Sequence, residues 1–313
     1  MRVLVAGGFG FVGGRLVEQL QQVGHKVTVG SRNIKNILEF LPNATVTQIN
    51  WSDDKALEKI CLGVDVVIQA AGMNAHDCAA NPVAALEFNG LATARLCAAA
   101  SRSGVSRFIY LSTAHVYASP LAGIITEDAC PRNLHPYATS HLAGENAVLS
   151  TERRDKIEGI VLRASNIFGV PVNKEVNCWM LLVNDLCRQA VETGQMILHS
   201  NGLQERDFIP MTEFCRIVER LSSYDREVGP SGIFNVGSGV TYSVLEIAKI
   251  VGQRCKLVLG FEPKCQRSAS SADETCERLV YRSDRLATFG LNVNVDLNAE
   301  IDRLLEFCKL SYQ

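Results

Sequence analysis

The segment Gly7-Gly8-Phe9-Gly10-Phe11-Val12-Gly13 has glycine at every third position from Gly7, a G-x-x-G-x-x-G pattern. An apolar run, Arg2–Val5, precedes it, and helical periodicity from Val12 to Val23 follows. A strand, a glycine turn and a helix in that order give a tight bend, a backbone that a ligand can approach closely, and free amides at a helix N-terminus facing an anion. The anion this arrangement suits is the pyrophosphate of a dinucleotide. At the end of the next strand, where a carboxylate would bond the adenosine ribose, the chain reads Val29-Gly30-Ser31-Arg32. A guanidinium there can pair bidentately with a 2′-phosphate, so Arg32 favours NADP(H) and leaves NAD(H) open.

These residues need a scaffold, and the N-terminal half alternates strands with helices. Strands are predicted over Arg2–Val5, Lys26–Val29, Thr45–Ile49, Val64–Gln69 and Phe108–Ser112, with a loop at Ser31–Asn33 and an Ala-rich helix from Pro82 to Ala100. Such alternation implies βαβ units in a doubly wound, Rossmann-type parallel sheet of the α/β class. After Gly169 the pattern loosens. Pro171–Asn177 reads as loop, Trp179–Glu192 as helix, Met196–His199 as strand, Ser243–Val251 as helix, Lys256–Gly260 as strand and Asn298–Leu310 as helix. The predicted organisation is a dinucleotide-binding domain of residues 1–169, rejoined by about 206–240. A smaller mixed α/β substrate domain comprises 170–205 and 241–313.

With 313 residues, 47% of them hydrophobic, the chain can bury a substantial core, and its net charge of −2 points to neither nucleic acid nor an anionic membrane. It has no membrane-length apolar run and no signal-peptide pattern, which places it in the cytoplasm. Eleven cysteines are scattered without a C-x-x-C pair and read as small core residues, with no metal site.

The ordered set of motifs resembles the extended short-chain dehydrogenases/reductases, in their NAD-dependent nucleotide-sugar epimerase and dehydratase branch. The glycine turn is followed by Ala70-Ala71-Gly72, Asn89, Leu111-Ser112-Thr113-Ala114-His115-Val116-Tyr117 and Tyr137-Ala138-Thr139-Ser140-His141. Leu162-Arg163-Ala164-Ser165-Asn166-Ile167-Phe168-Gly169 and Arg206-Asp207-Phe208-Ile209 complete the set. Hydride transfer at a carbinol carbon requires a proton to move on its oxygen, and a phenol does this once its pKa is drawn down toward neutrality. The resemblance implies Tyr137 as the acid/base and Thr113 as the hydrogen-bonding partner of the reacting oxygen.

A lysine is expected one helical turn after the tyrosine, and here the chain departs with His141. A shorter, partly charged imidazole leaves three readings open: a weaker version of the lysine's task, substitution by another cation, or lost turnover. His115 could face the substrate or simply occupy the loop. Cofactor contacts implied by the resemblance are Gly7, Phe9, Gly10, Phe11, Val12, Gly13, Asn50, Trp51, Ala70, Ala71, Gly72, Asn89 and Ser165, with Asn50 in place of the usual aspartate. Asn166 is an implied substrate contact, Arg206 an implied grip on a diphosphate, and Arg163 is read as structural.

The expected function is that of an NAD(P)-dependent oxidoreductase or epimerase on a nucleoside-diphosphate sugar, with a slight tilt to ketoreductase and a homodimer implied by the family. Dehydration is disfavoured because Ala114 and His115 replace an acidic pair. Alternatives are a non-catalytic NADP-binding regulator and a reductase of a non-nucleotide carbonyl.

Overall fold

A computed structural model describes the chain except residues 33–43, 156, 226–230, 268–277 and 313. In chain order the strands of the first half are β1 (Arg2–Ala6), β2 (Lys26–Ser31), β3 (Thr45–Gln48), β4 (Val66–Gln69), β5 (Arg107–Thr113), β6 (Gly123–Ile125) and β7 (Glu158–Ala164). Those that follow are β8 (Asn166–Phe168), β9 (Gln195–Leu198), β10 (Glu205–Pro210), β11 (Gly232–Val236), β12 (Thr241–Ser243), β13 (Lys264–Arg267) and β14 (Leu279–Tyr281).

Seven of them form one sheet in the order β3-β2-β1-β4-β5-β7-β11, every pair parallel. All four residues of β4 are buried, as are Val3 to Ala6 of β1. A parallel sheet covered by helices on both faces leaves no solvated side, so these strands read as unbroken apolar runs. The chain winds outward from β1 to β3 and then crosses back to β4. The crevice therefore opens at the carboxyl ends of β1 and β4, the place in such sheets where ligands bind.

The glycine turn sits in that crevice. Gly7 has φ +82°, and a Cβ there would lie 2.5 Å from the backbone nitrogen of Ala71, just beyond β4. No side chain fits between the two strand ends. The helix Phe11–Gln22 then starts at Gly10 with no side-chain cap, which leaves its first amides free for a ligand.

The helix Pro136–Arg154 carries the second half of the site. Pro136 occupies its first turn, and the His135 ring accepts a bond from the Tyr137 amide at 3.1 Å. Gly144 lets this helix approach the sheet, since a Cβ there would stand 2.7 Å from Tyr110 Oη on β5. It runs alongside a helix that opens as Pro82–Ala85, widens to a π-helical turn over Leu86–Leu91 and closes as Ala92–Arg102. The widened turn aims Asn89 into the interior, where it is fully buried.

A second core gathers the helices Leu182–Thr193, Val244–Val258 and Leu297–Tyr312 around Phe168 and Phe208. The helix Met211–Ser223 and β11 instead join the core of the parallel sheet, and so do Leu286 and Leu291, which the sequence division gave to the substrate unit. One predicted element is corrected. Lys256–Gly260 is not a strand: the helix Val244–Val258 runs through its first three residues, continuing the buried row Val251, Cys255. The capping box Ser243/Glu246 starts that helix, and Leu257 is solvent-facing rather than one of a buried strand pair. Ten cysteines are described and all are free, eight buried and two, Cys130 and Cys265, exposed. Among the described residues no helix is long and apolar enough to cross a membrane.

Candidate active site

A cavity of about 760 Å³ lies over the carboxyl ends of β1, β4 and β5. Residues 9–12 of the glycine turn, 70–74 beyond β4, and Thr113, Tyr137 and His141 share its wall. Ser165 and Asn166, with the stretch between Val172 and Leu181, close the far side. The glycine turn and Thr113, Tyr137 and His141 thus face one space. The bare helix N-terminus and the side-chain-free turn suit a pyrophosphate.

Tyr137 and His141 lie one helical turn apart with ring centroids 4.6 Å from each other, edge to face. Burial raises the Tyr137 pKa, while a hydrogen bond with the Thr113 hydroxyl draws it back down in part. Thr113 also accepts a bond from the His115 amide at 3.1 Å, which fixes its hydroxyl in the turn after β5. Its neighbour Ser112 also touches the cavity wall but gives its hydroxyl to Glu145 behind the sheet end. Thr113, unlike Ser112, gives its hydroxyl to no carboxylate among the described residues.

His141 is buried, and that burial lowers its pKa to about 4. At neutral pH it carries no charge, so it does not reproduce a lysine's electrostatics. Its Nδ1 lies 2.9 Å from Tyr110 Oη. The folded state binds a proton on His141 only near pH 4, whereas the unfolded chain binds one below about 6.5. The stability held above pH 6.5 is therefore lost as pH falls toward 4. His141→Gln should flatten the decline of the melting temperature across that window; parallel wild-type and variant curves would contradict the burial.

Beneath the site, Arg163 and Glu145 form a buried bidentate pair, Nη2 to Oε2 at 2.6 Å and Nε to Oε1 at 3.1 Å. The guanidinium also covers the Tyr117 ring at 4.6 Å. Tyr117 donates to Asn235 Oδ1 at 2.8 Å, and the Tyr281 hydroxyl lies 2.7 Å from the Arg163 carbonyl and 3.0 Å from Asn235 Oδ1, so the two rings tie β11 to β7 and the turn after β5. Arg163 never reaches the cavity and is a scaffold residue.

Other residues expected to touch ligand are placed less directly. Asn89 bonds the Met73 amide at 2.8 Å and Ser140 Oγ at 3.0 Å, so it braces the cavity wall from behind and is not part of that wall. Asn50 turns its side chain onto Ser52, and Trp51 packs on Phe88 with centroids 5.5 Å apart. Arg32 is exposed, with its guanidinium 4.5 Å from the centre of that same Phe88 ring. Asn166 lines the cavity and donates to the Asp207 carbonyl at 2.8 Å. Arg206 bonds Gln204 Oε1 at 2.8 Å. Strand alternation sends Asp207 the other way, where its carboxylate accepts from Ser238 and Gly239. Arg206 and Asp207 are thus not an ion pair.

His115 faces the cavity. Burial and the nearby Arg206 and His135 charges lower its pKa. Tyr110, Ser140 and Glu145 escaped the sequence reading, because buried polar residues on an apolar strand or mid-helix carry no local signal. The cavity wall between Val172 and Leu181 escaped for another reason: a loop without periodicity gives no position.

A family model described as the NAD dependent epimerase/dehydratase family matches residues 3–237. A Methanocaldococcus jannaschii protein provisionally named a UDP-glucose 4-epimerase is 26% identical, covering 98% of each chain. A dTDP-glucose 4,6-dehydratase of Streptomyces niveus is 25% identical over 82% of this chain and 78% of its own. Among solved structures, the UDP-glucose 4-epimerase of Thermotoga maritima with UDP-glucose superposes with a TM-score of 0.83 at 20% identity, over all of both chains.

Proposed function

We propose that this chain, which belongs to the NAD dependent epimerase/dehydratase family, oxidises or reduces a carbinol carbon of a nucleoside-diphosphate sugar with Tyr137 as its acid/base. The observation that carries the reading is that Thr113 and Tyr137 share the wall of the same cavity as the glycine turn. A nicotinamide dinucleotide bound there supplies hydride acceptance or donation. The protein's own part is to hold and deprotonate the sugar oxygen. Thr113 donates to that oxygen, and Tyr137 takes its proton on oxidation and returns it on reduction. Ser165 and Asn166 line the opposite wall, where a sugar would lie. Relatives named as epimerases and dehydratases act on UDP- and dTDP-sugars, which supports that substrate class. A thermal-shift panel of such nucleotide sugars tests the class, since a true ligand raises the melting temperature by mass action. A panel without any shift would contradict it.

The absence of a carboxylate at the end of β2 favours NADP(H) over NAD(H), with Arg32 as the 2′-phosphate partner. Phe88 under the guanidinium holds it in one place. Arg32→Ala should weaken NADPH by about 1.5–3 kcal/mol and leave NADH nearly unchanged. Equal losses on both cofactors in titration would remove Arg32 from that role.

Arg206 is our diphosphate ligand. Its partner is the neutral Gln204, and among the described residues no carboxylate pairs with it, so its charge is available. Arg206→Ala should weaken nucleoside-diphosphate binding by calorimetry at least about tenfold, while cofactor affinity stays. Loss of both together would instead mark a folding defect. A cytoplasmic location fits the free thiols. Exposed Val83, Leu86 and Leu91 offer apolar surface to the homodimer that the family implies.

A further inference from the structure

We propose that Tyr110 locks His141 into the Nε2–H tautomer, so that an uncharged imidazole presents one fixed hydrogen-bond donor to the cofactor. The inference rests on the dinucleotide reading of the cavity, and it adds Tyr110 as a positioning residue.

Tyr110 lies on β5, 1% exposed. Burial and the nearby Glu145 carboxylate keep its phenol protonated, so its hydroxyl must donate to something. His141 Nδ1 lies at 2.9 Å and the Asn89 carbonyl at 3.4 Å, and the Thr93 hydroxyl is also close to the phenol. The shorter bond goes to the imidazole. A ring nitrogen that accepts carries no hydrogen, and a neutral imidazole then has its proton on Nε2.

The ring is held in position on three sides. Tyr110 stacks on one face with centroids 5.8 Å apart, and Tyr137 meets it edge to face. Gly144 sets the helix's distance from Tyr110 Oη. On the fourth side Nε2 points past Gly72, where a Cβ would lie 3.8 Å away, into the cavity wall. Among the described residues Nε2 has no partner. His141 lines the cavity, so an acceptor on a ligand bound there can take this donor.

The arrangement also settles what a lysine here would disturb. An ammonium has no lone pair to accept from Tyr110, so that hydroxyl would have to turn to the more distant Asn89 carbonyl. The pair Tyr110–His141 is thus a matched unit, geometrically complete without a cation. Other titratable groups facing it are Tyr137 on the same helix, Glu145 beyond Tyr110, and Cys78, which accepts from Asn89.

Ring-nitrogen NMR on the full chain with labelled histidine tests this, with His141→Gln assigning the signal among six histidines. His141 should appear as neutral Nε2–H throughout about pH 5–8, and it should shift when NADP⁺ or NAD⁺ is added. Tyr110→Phe keeps the ring volume. It should yield a mixture of tautomers and weaken cofactor binding about three- to tenfold. His141→Gln can accept from Tyr110 and donate into the cavity, so it should retain affinity, whereas His141→Leu should lose it. Unaltered tautomer and affinity in Tyr110→Phe, or a wild-type His141 that carries its proton on Nδ1, would overturn the proposal. None of these readouts uses turnover. Inactivity toward every nucleotide sugar would therefore count against the proposed function while leaving this inference to stand or fall on binding.

Discussion

Tyr137→Phe is expected to lower turnover about 10²- to 10⁴-fold while leaving cofactor affinity unchanged. Phenylalanine keeps the ring that packs against His141 at 4.6 Å and removes only the phenol that moves the proton. The residual rate should lose the pH dependence of the wild type. In the wild type, burial holds the Tyr137 pKa up and His141 supplies no charge to offset it, so activity should climb toward alkaline pH. Adding a charge by His141→Lys should move that limb to lower pH, although it disturbs the bond from Tyr110. Steady-state rates across pH for the three proteins check this. Full turnover in Tyr137→Phe would exclude the phenol as the proton carrier.

Glu145→Ala is expected to cost about 3–5 kcal/mol of stability, because it leaves the Arg163 guanidinium buried without its counter-charge. Arg163 and Glu145 side chains are 3% and 1% exposed, so water cannot replace the lost partner. Ser112 would lose its acceptor in the same step. Denaturant unfolding measures the loss, and the double variant Glu145→Leu with Arg163→Met should be less destabilised than Glu145→Ala alone. A Glu145→Ala protein as stable as the wild type would mean that the pair is not closed to solvent.

The parallel sheet and the glycine turn at its carboxyl edge were legible because each signal there is local. A glycine triplet between a strand and a helix has one geometric use, and the apolar runs of β1 and β4 leave no alternative to burial on both faces. Ser112, next to Thr113 on β5, gives its hydroxyl to Glu145, a contact that no local pattern announces. Three-residue strands such as β6 and β14 were not legible, since they pair across more than 150 residues and have no period of their own. Lys256–Gly260 misled because a short apolar run is ambiguous between strand and helix until its neighbours are placed. Tyr110 stayed hidden because an aromatic in a buried strand is ordinary core. Only its 2.9 Å bond to His141 distinguishes it. The substitution of histidine for lysine was visible at once, but its consequence was not, because the charge state of an imidazole is decided by burial.

The most direct test of Tyr137-driven redox chemistry is isotope transfer. UDP- and dTDP-sugars carrying deuterium on the carbinol carbons of the sugar ring would be incubated with the protein and oxidised cofactor, and the nicotinamide analysed by mass spectrometry. Label should appear on the nicotinamide with at least one of these sugars in the wild-type protein, and be lost with Tyr137→Phe. Label remaining on the sugar throughout, with a nucleotide sugar shown to be bound by its thermal shift, would contradict hydride transfer in this cavity.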